Sequence, residues 1–362
     1  MAKFSEILKI VNGKNQGRVE NPNGRYPIYG SGGVMGYADD YLCEAETVVI
    51  GRKGSINKPI YVEEPFWNVD TAFGLVANRD MLLPKYLFYF CVYFDFEQLN
   101  TTVTIPSLTK ANLLNIEMNL PSLTVQQKIV ERLSKVDELI SLRKEQLAKL
   151  DQLVKSRFIE LFGDPVSNPM GWGQKTLKEV CLKLNDGTHF SPESFETGEY
   201  KYVTAKNIKM SGFDFSNITY VPEEVHRPIY ERCNPELGDV LYIKDGATTG
   251  IAMVNTLEEE FTLLSSVALL KQDRRIMNGY FLAALLNNES MYIDIRGNMG
   301  GAAITRLTIA KLNAIKVVLP PIELQNQFAT FIEQTDKSKS AIQQSLDKLE
   351  LLKKALMQKY FG

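Results

Sequence analysis

Groups that carry chemistry are scarce in this chain of 362 residues. It holds two histidines, His189 and His226. Its four cysteines, Cys43, Cys91, Cys181 and Cys233, are scattered with no C-x-x-C pair. That spacing reads as reduced thiols in a cytoplasmic protein, not as a disulfide frame or a zinc site. No G-x-x-x-x-G-K-[ST] run is present, which argues against a P-loop. The Asn-Pro pairs at Asn21, Asn168 and Asn234 are followed by Asn23, Met170 and Glu236, so none gives the N-P-P-aromatic signature of amino-methylating enzymes. Gly30-x-Gly32-x-x-x-Gly36 lacks the strand-loop-helix setting of a dinucleotide site and reads as a turn-rich loop. Gly297-Asn-Met-Gly-Gly301 is an equally weak signal. His226 lies in a Pro- and Glu-rich stretch and reads as a solvated loop residue. His189, in the polar turn Asp186-Gly-Thr-His-Phe-Ser-Pro192, stays open between a turn residue and a ligand contact. No catalytic group, cofactor or metal is expected.

A membrane partner is not expected either. No apolar run reaches spanning length, and MAKFSEILKI has no signal-peptide shape. Strong charge of one sign is also missing. The net charge is −2. Residues 1–119 carry 11 basic and 13 acidic side chains, and residues 164–318 carry 16 and 19. Such a balance counts against tight nucleic-acid binding by the chain alone, because phosphate neutralisation supplies most non-specific affinity. A local basic patch remains compatible with it.

Glycine and proline are missing where their absence matters most. Residues 120–163 hold no Gly before Gly163 and no Pro after Pro121. Steps of four and three connect Ile129, Leu133, Val136, Ile140, Arg143, Leu147, Leu150, Val154, Arg157 and Leu161. A 3.5-residue period this long marks a helix lying along another helix. At 1.5 Å per residue the rod is roughly 60 Å long.

The partner is in the same chain. Residues 319–362 align with 120–163 without a gap: Leu120 with Leu319, Pro121 with Pro320, Gln126 with Gln325, Asp137 with Asp336, Phe162 with Phe361, Gly163 with Gly362. The apolar row returns as Phe328, Ile332, Ile342, Leu346, Leu349, Leu356 and Tyr360, interrupted by Thr335, Lys339 and Lys353. Two rods, each following a globular stretch, make an internal duplication.

The globular stretches follow one order. In 1–119, Thr47-Val-Val-Ile50, Phe66-Trp67 and Thr71-Ala-Phe-Gly-Leu-Val76 read as strands, and Pro84 opens an aromatic helix. In 164–318, Gly238-Asp-Val-Leu241 echoes Glu46 to Val49, and Tyr280 to Leu286 is again a short helix. Asn185-Asp-Gly187 echoes Asn12-Gly13. Ile105-Pro-Ser-Leu108 and Ile304-Thr-Arg-Leu307 then lead to the rods. The fold class is therefore α+β: globular units 1–119 and 164–318 joined by rods 120–163 and 319–362. Antiparallel pairing of the rods, with a pseudo-two-fold axis across them, is the simplest arrangement.

The loops suit DNA. Arg52, Lys53, Ser55, Asn57 and Lys58 combine cations for phosphates with donors and acceptors for base edges. Ser31 and Gly32 lie in the glycine-rich stretch. In the second unit Lys244, Thr248 and Thr249 fall in the segment corresponding to Arg52, and Thr188, His189, Lys206 and Asn207 are further candidates.

At this point the chain resembles the specificity subunit of type I restriction-modification systems. The residues that carry the resemblance are Tyr29-Gly-Ser-Gly-Gly-Val-Met-Gly-Tyr37, Ile50-Gly-Arg-Lys-Gly-Ser55, Phe66-Trp67, Asp186 to Pro192, Gly238-Asp-Val-Leu241 and the Leu-Pro openings of both rods. It departs in the first turn of each rod, where Val125 and Leu324 precede the glutamines and the family often has Glu. The resemblance implies two target-recognition domains on an antiparallel coiled coil, each reading half of a bipartite double-stranded DNA site. It implies docking of two methyltransferase subunits, to which restriction subunits add, and no catalysis by the chain itself. The alternative from another class is a coiled-coil scaffold that binds proteins only.

Overall fold

A computed structural model describes residues 1–100, 107–297 and 306–362. Ile105, Pro106, Asn298 to Gly301, Ile304 and Thr305 from the motifs above lie outside the described residues. The chain forms two compact units, Met1–Glu145 with Gln343–Gly362, and Gln146–Ile342.

The first unit is built on a four-stranded antiparallel sheet in the order Leu8–Asn12, Ala72–Ala77, Thr47–Gly51, Ile60–Val62. Thr47–Gly51 is an unbroken run with every position buried, as a central strand covered on both faces should be. A second sheet places Tyr26–Gly30 between Gly33–Ala38 and the short parallel strand Trp67–Asn68. The glycine-rich stretch read as a loop is thus the turn and second strand of a β-hairpin. Gly33, at φ 118°, takes the left-handed turn position. Pro84 sits at the start of helix Pro84–Tyr93, where its missing N–H costs nothing. That helix buries Tyr86, Tyr89 and Phe90 in a core with Phe4, Ile7, Leu75 and Leu133.

The second unit repeats the plan. Its four-stranded sheet runs Cys181–Asp186, Val267–Gln272, Val240–Ile243, Ala252–Val254, and its three-stranded sheet runs Thr219–Val221, Tyr200–Val203, Thr262–Leu263, the last pair parallel. Helix Gly279–Leu286 takes the place of Pro84–Tyr93. The additions include a hairpin of Ile208–Lys209 with Gly212–Phe213 and a helix Glu223–Arg232, while the strand pair of Gly173–Thr176 with Lys316–Leu319 repeats that of Ala2–Lys3 with Glu117–Met118 in the first unit.

His226 departs from expectation. It lies within helix Glu223–Arg232, despite Pro228 in that helix, and is fully buried. Its ring stacks on Tyr200 with centroids 3.8 Å apart. Nδ1 lies 2.8 Å from the Thr262 hydroxyl and Nε2 lies 3.3 Å from the Glu260 carboxylate. Burial pulls its pKa below the ordinary 6.5, against the opposing pull of Glu260.

The two long helices, Leu123–Phe162 and Ile322–Phe361, are 40 residues each. Every member of the four-three row from Ile129 to Leu161 is buried or half-buried. Within the first unit, Arg132 meets Tyr360, Asp137 meets Lys353 at 2.7 Å, and Arg143 meets Ser345. Numbers rise on one helix as they fall on the other, so the segments there run antiparallel. Within the second unit, Asp151 meets Lys339 at 2.7 Å and Phe158 packs on Phe328. Lys339 and Lys353, which break the second apolar row, each answer a carboxylate on the facing helix.

Candidate nucleic-acid interface

In each unit the loops meet at one edge, where strand ends come together. In the first unit the edge starts at Gly13. A Cβ there would fall 1.7 Å from the Val69 carbonyl oxygen, so only glycine lets the chain cross so closely. Lys14 follows. Its N–H donates to the Asn68 carbonyl at 2.8 Å, and its own carbonyl accepts from the Trp67 indole at 2.9 Å. The backbone is fixed while the lysine side chain is exposed. Ser31 lies beside Gly51, whose Cβ would come 3.0 Å from the serine's own. Arg52 is tied by its N–H to Thr71 and by its carbonyl to Leu108, and its exposed guanidinium lies over the Phe73 ring. Lys53 forms a backbone bridge with Ser107 and is exposed, as are Lys58 and Gly32.

Lys14, Arg52, Lys53 and Lys58 have no carboxylate at salt-bridge distance among the described residues. Four uncompensated cations thus share the loop side of residues 1–119, which as a whole carry 11 basic and 13 acidic side chains. Ser55 is half-buried. Asn57 is occupied within the fold: its amide donates to Asp95 and its carbonyl accepts from the Phe96 N–H, both at 2.7 Å.

The second unit fills the same edge differently. Gly187 repeats the close crossing, with a Cβ 1.9 Å from the Leu263 carbonyl oxygen. The Thr188 N–H donates to that carbonyl, and its buried hydroxyl closes a turn onto Phe190. His189 is exposed, with Nε2 3.2 Å from Asp186. Asp186 is buried and also meets Arg232 at 2.8 Å and Lys244 at 3.4 Å.

Lys244 holds the register position of Arg52, since the Leu307 N–H bonds its carbonyl as the Leu108 N–H bonds that of Arg52. Unlike Arg52 it is buried, 2% exposed, with its amine 2.6 Å from Asp245. The structure therefore does not present the Lys244 amine on the surface. Charge pairing inside the loop edge is what it does here. Thr249 and Asn207 are buried too. Thr249 bonds the Gly246 carbonyl, and Asn207 caps the turn at Thr204 and bonds Asp214. Thr248 and Lys206 are exposed.

Sequence reasoning passed over Lys14, Asn15, Phe190 and the Asp186–Arg232 pair. The echo of Asn12-Gly13 in Asp186-Gly187, carried on by two residues, would have reached the first two.

The four thiols are buried or half-buried and unpaired, and burial pushes Cys43, Cys181 and Cys233 up to about 12. No group of His, Cys, Asp and Glu among the described residues could hold a metal ion, and no described helix is long and apolar enough to cross a membrane. What the edges offer is hydrogen bonding and positive charge.

The family model for the type I restriction-modification DNA specificity domain matches residues 1–152 and 169–351. The chain belongs to that family. By family, then, this type I specificity chain is a DNA-recognition component and not an enzyme. It is 21% identical over 308 residues to the type I restriction enzyme MjaIX specificity subunit of Methanocaldococcus jannaschii, covering 79% of this chain and 70% of that protein. Its fold is shared with the S subunit of a type I restriction-modification system from M. genitalium, at a TM-score of 0.65 and 16% identity over 100% of this chain and 95% of that one. A chain from a structural study of complex assembly and conformational transition in the type I system matches at a TM-score of 0.58 and 17% identity, over 99% of this chain and 96% of that one.

Proposed function

We propose that each unit reads one half of a bipartite, asymmetric double-stranded DNA site with its loop edge. Residues 1–119 and 164–318 are the two target-recognition domains. Residues 120–163 and 319–362 form an antiparallel coiled coil that sets the unread spacer, with a pseudo-two-fold relation between the halves. The observation that carries this reading is the same strand-end edge in both units, bearing different side chains. A shared frame with divergent loops suits two different DNA words. Exposed cations on the first edge suit phosphates, and the exposed amide, hydroxyl and imidazole groups on the two edges suit base edges.

The long helices serve as a platform for two methyltransferase subunits, to which restriction subunits add. Leu142, Leu351 and Leu352 are exposed on them, which fits a protein partner. Chemistry belongs to those partners, in the cytoplasm.

Replacement of residues 1–119 by the corresponding unit of a relative tests the reading. Methylation mapped across the DNA of an expressing host should show one changed half-site. A change in both half-sites together would refute the assignment of one unit to one half-site.

A further inference from the structure

Backbone bonds match the two loop edges position by position. Asn12 and Asp186 end equivalent strands, paired with Phe73 and Ala268. Lys14 and Thr188 donate their N–H groups, each at 2.8 Å, to the carbonyls of Asn68 and Leu263. Those two residues pair in parallel with Tyr29 and Val203. Three residues past Tyr29 and Val203 stand Gly32 and Lys206, both exposed. The carbonyls of Arg52 and Lys244 accept the N–H groups of Leu108 and Leu307 at 2.9 Å. Lys53 bridges Ser107 as Asp245 bridges Arg306.

The six matched positions carry different charge. In the first unit they hold three cations and no carboxylate; in the second they hold three cations and two carboxylates. The second unit also consumes its cations internally. The Lys244 amine lies 2.6 Å from Asp245 and 3.4 Å from Asp186, and the Arg306 guanidinium lies 3.4 Å from Asp245. Lys206 is the one cation of its set that is exposed with no carboxylate at salt-bridge distance among the described residues. In the first unit Lys14, Arg52 and Lys53 are all in that state. Outside these positions, Lys58 adds one cation to the first edge and Arg232, 2.8 Å from Asp186, adds one to the second. The difference between the edges therefore stands. A cation that already faces a carboxylate replaces few of the counterions around DNA, because its own charge is answered before contact.

We propose that the first unit is the electrostatic anchor of this chain on DNA. Lys14, Arg52 and Lys53 supply most of its phosphate neutralisation. The second unit holds its half-site largely without net charge, and its buried Lys244 with Asp186 and Asp245 serves to position the loop edge. The two half-sites are thus bound by different forces, one strongly weakened by salt and the other weakly. The inference rests on the DNA-reading function proposed above and adds how the electrostatic work is divided between the units.

The test uses the full chain assembled with its methyltransferase subunits and a duplex carrying the sequence methylated in the expressing host. Affinity is measured from about 50 to about 200 mM salt, and the slope of log affinity against log salt is read, to which each phosphate-bound cation contributes about 0.9. Lys14→Gln, Arg52→Gln and Lys53→Gln together should flatten the slope by roughly two to three. Over that range the wild-type complex should then lose roughly fortyfold more affinity than the variant. Lys206→Gln with Arg306→Gln should flatten it by about one at most. A fall of nearly two in the second variant, or of one or less in the first, overturns the anchor. Duplexes that end within the spacer, each carrying one half-site, give a second measurement with the unaltered protein. Two copies of one methyltransferase contribute alike to both, so a difference in slope belongs to this chain. The half-site of the first unit, known from the exchange of residues 1–119, should give the steeper slope by about two. Equal slopes in a complex that methylates a bipartite sequence overturn the anchor alone. A wild-type complex that methylates no defined sequence overturns the DNA-reading function and this inference with it.

Discussion

The side-chain carbonyl of Gln126 accepts the Leu83 N–H at 2.9 Å, while its amide donates to the carbonyls of Met81 and Pro121 at 2.8 Å. Gln325 does the same in the second unit, accepting from Asn278 and donating to Ile276 and Pro320. Both glutamines are fully buried, so each pins the start of a long helix to the short helix of its own unit.

Gln126→Ala would leave the Leu83 N–H and the Met81 and Pro121 carbonyls without their side-chain partner. A fully buried orphan costs about 1–3 kcal/mol, and these three bonds are only partly buried, so a total loss of about 2–4 kcal/mol is expected. Gln325→Ala should match it. Denaturant unfolding of the purified chain measures both. A loss below about 1 kcal/mol would show that solvent replaces the clamp.

Arg52→Ala and Lys244→Ala should fail in different ways. The arginine is exposed, so its loss should spare folding and weaken DNA binding of the assembled complex. The lysine is buried between Asp186 and Asp245, so its loss leaves buried carboxylates uncompensated and should cost about 3–5 kcal/mol of stability. Melting curves and DNA affinity, measured side by side, separate the two. Equal stability in both variants would contradict the burial argument.

His226 gives the second unit a pH dependence. Its folded pKa lies below the unfolded one, so the unfolded chain binds the extra proton first as pH falls. The stability it contributes is complete above the unfolded value of 6.5 and is lost as pH drops through the lower folded value. His226→Gln should flatten that part of the pH profile. Identical slopes for both proteins between about pH 7 and pH 5 would remove His226 as the cause.

Lengthening both long helices by one heptad at facing positions should keep their 3.5-residue register. At 1.5 Å per residue the addition is roughly 10 Å, or about 3 base pairs of B-DNA. Methylation of a library with fixed half-sites and every spacer length should shift to a longer spacer. An unchanged preference in the folded protein would leave the helices as a docking platform only.

Local pattern made some of this legible. The 40-residue helices show in an apolar row free of Gly and Pro, and Thr47–Gly51 shows in an unbroken apolar run. Partners distant in sequence hid the rest. His226 is buried because Tyr200 and Thr262 come to it, and the Pro and Glu around it suggest only a loop. Asn57 has the composition of a base reader, yet Asp95 and Phe96 occupy its amide. Arg52 and Lys244 share a register position and differ in burial because acidic neighbours surround only the second.

The first unit includes Gln343–Gly362, and Phe361 packs on Tyr86, Phe90 and Tyr93. The second unit is a single continuous stretch, Gln146–Ile342. On the ribosome, at about 5–20 residues per second, the roughly 200 residues after Glu145 take some ten to forty seconds to make. Through that interval the earlier-made unit waits with the Phe361-facing side of its aromatic helix uncovered, while the later-made one has all its own parts as soon as Ile342 is added. Order of synthesis and order of completion are therefore reversed, and the nascent chain is most exposed to aggregation or chaperone capture at its oldest end.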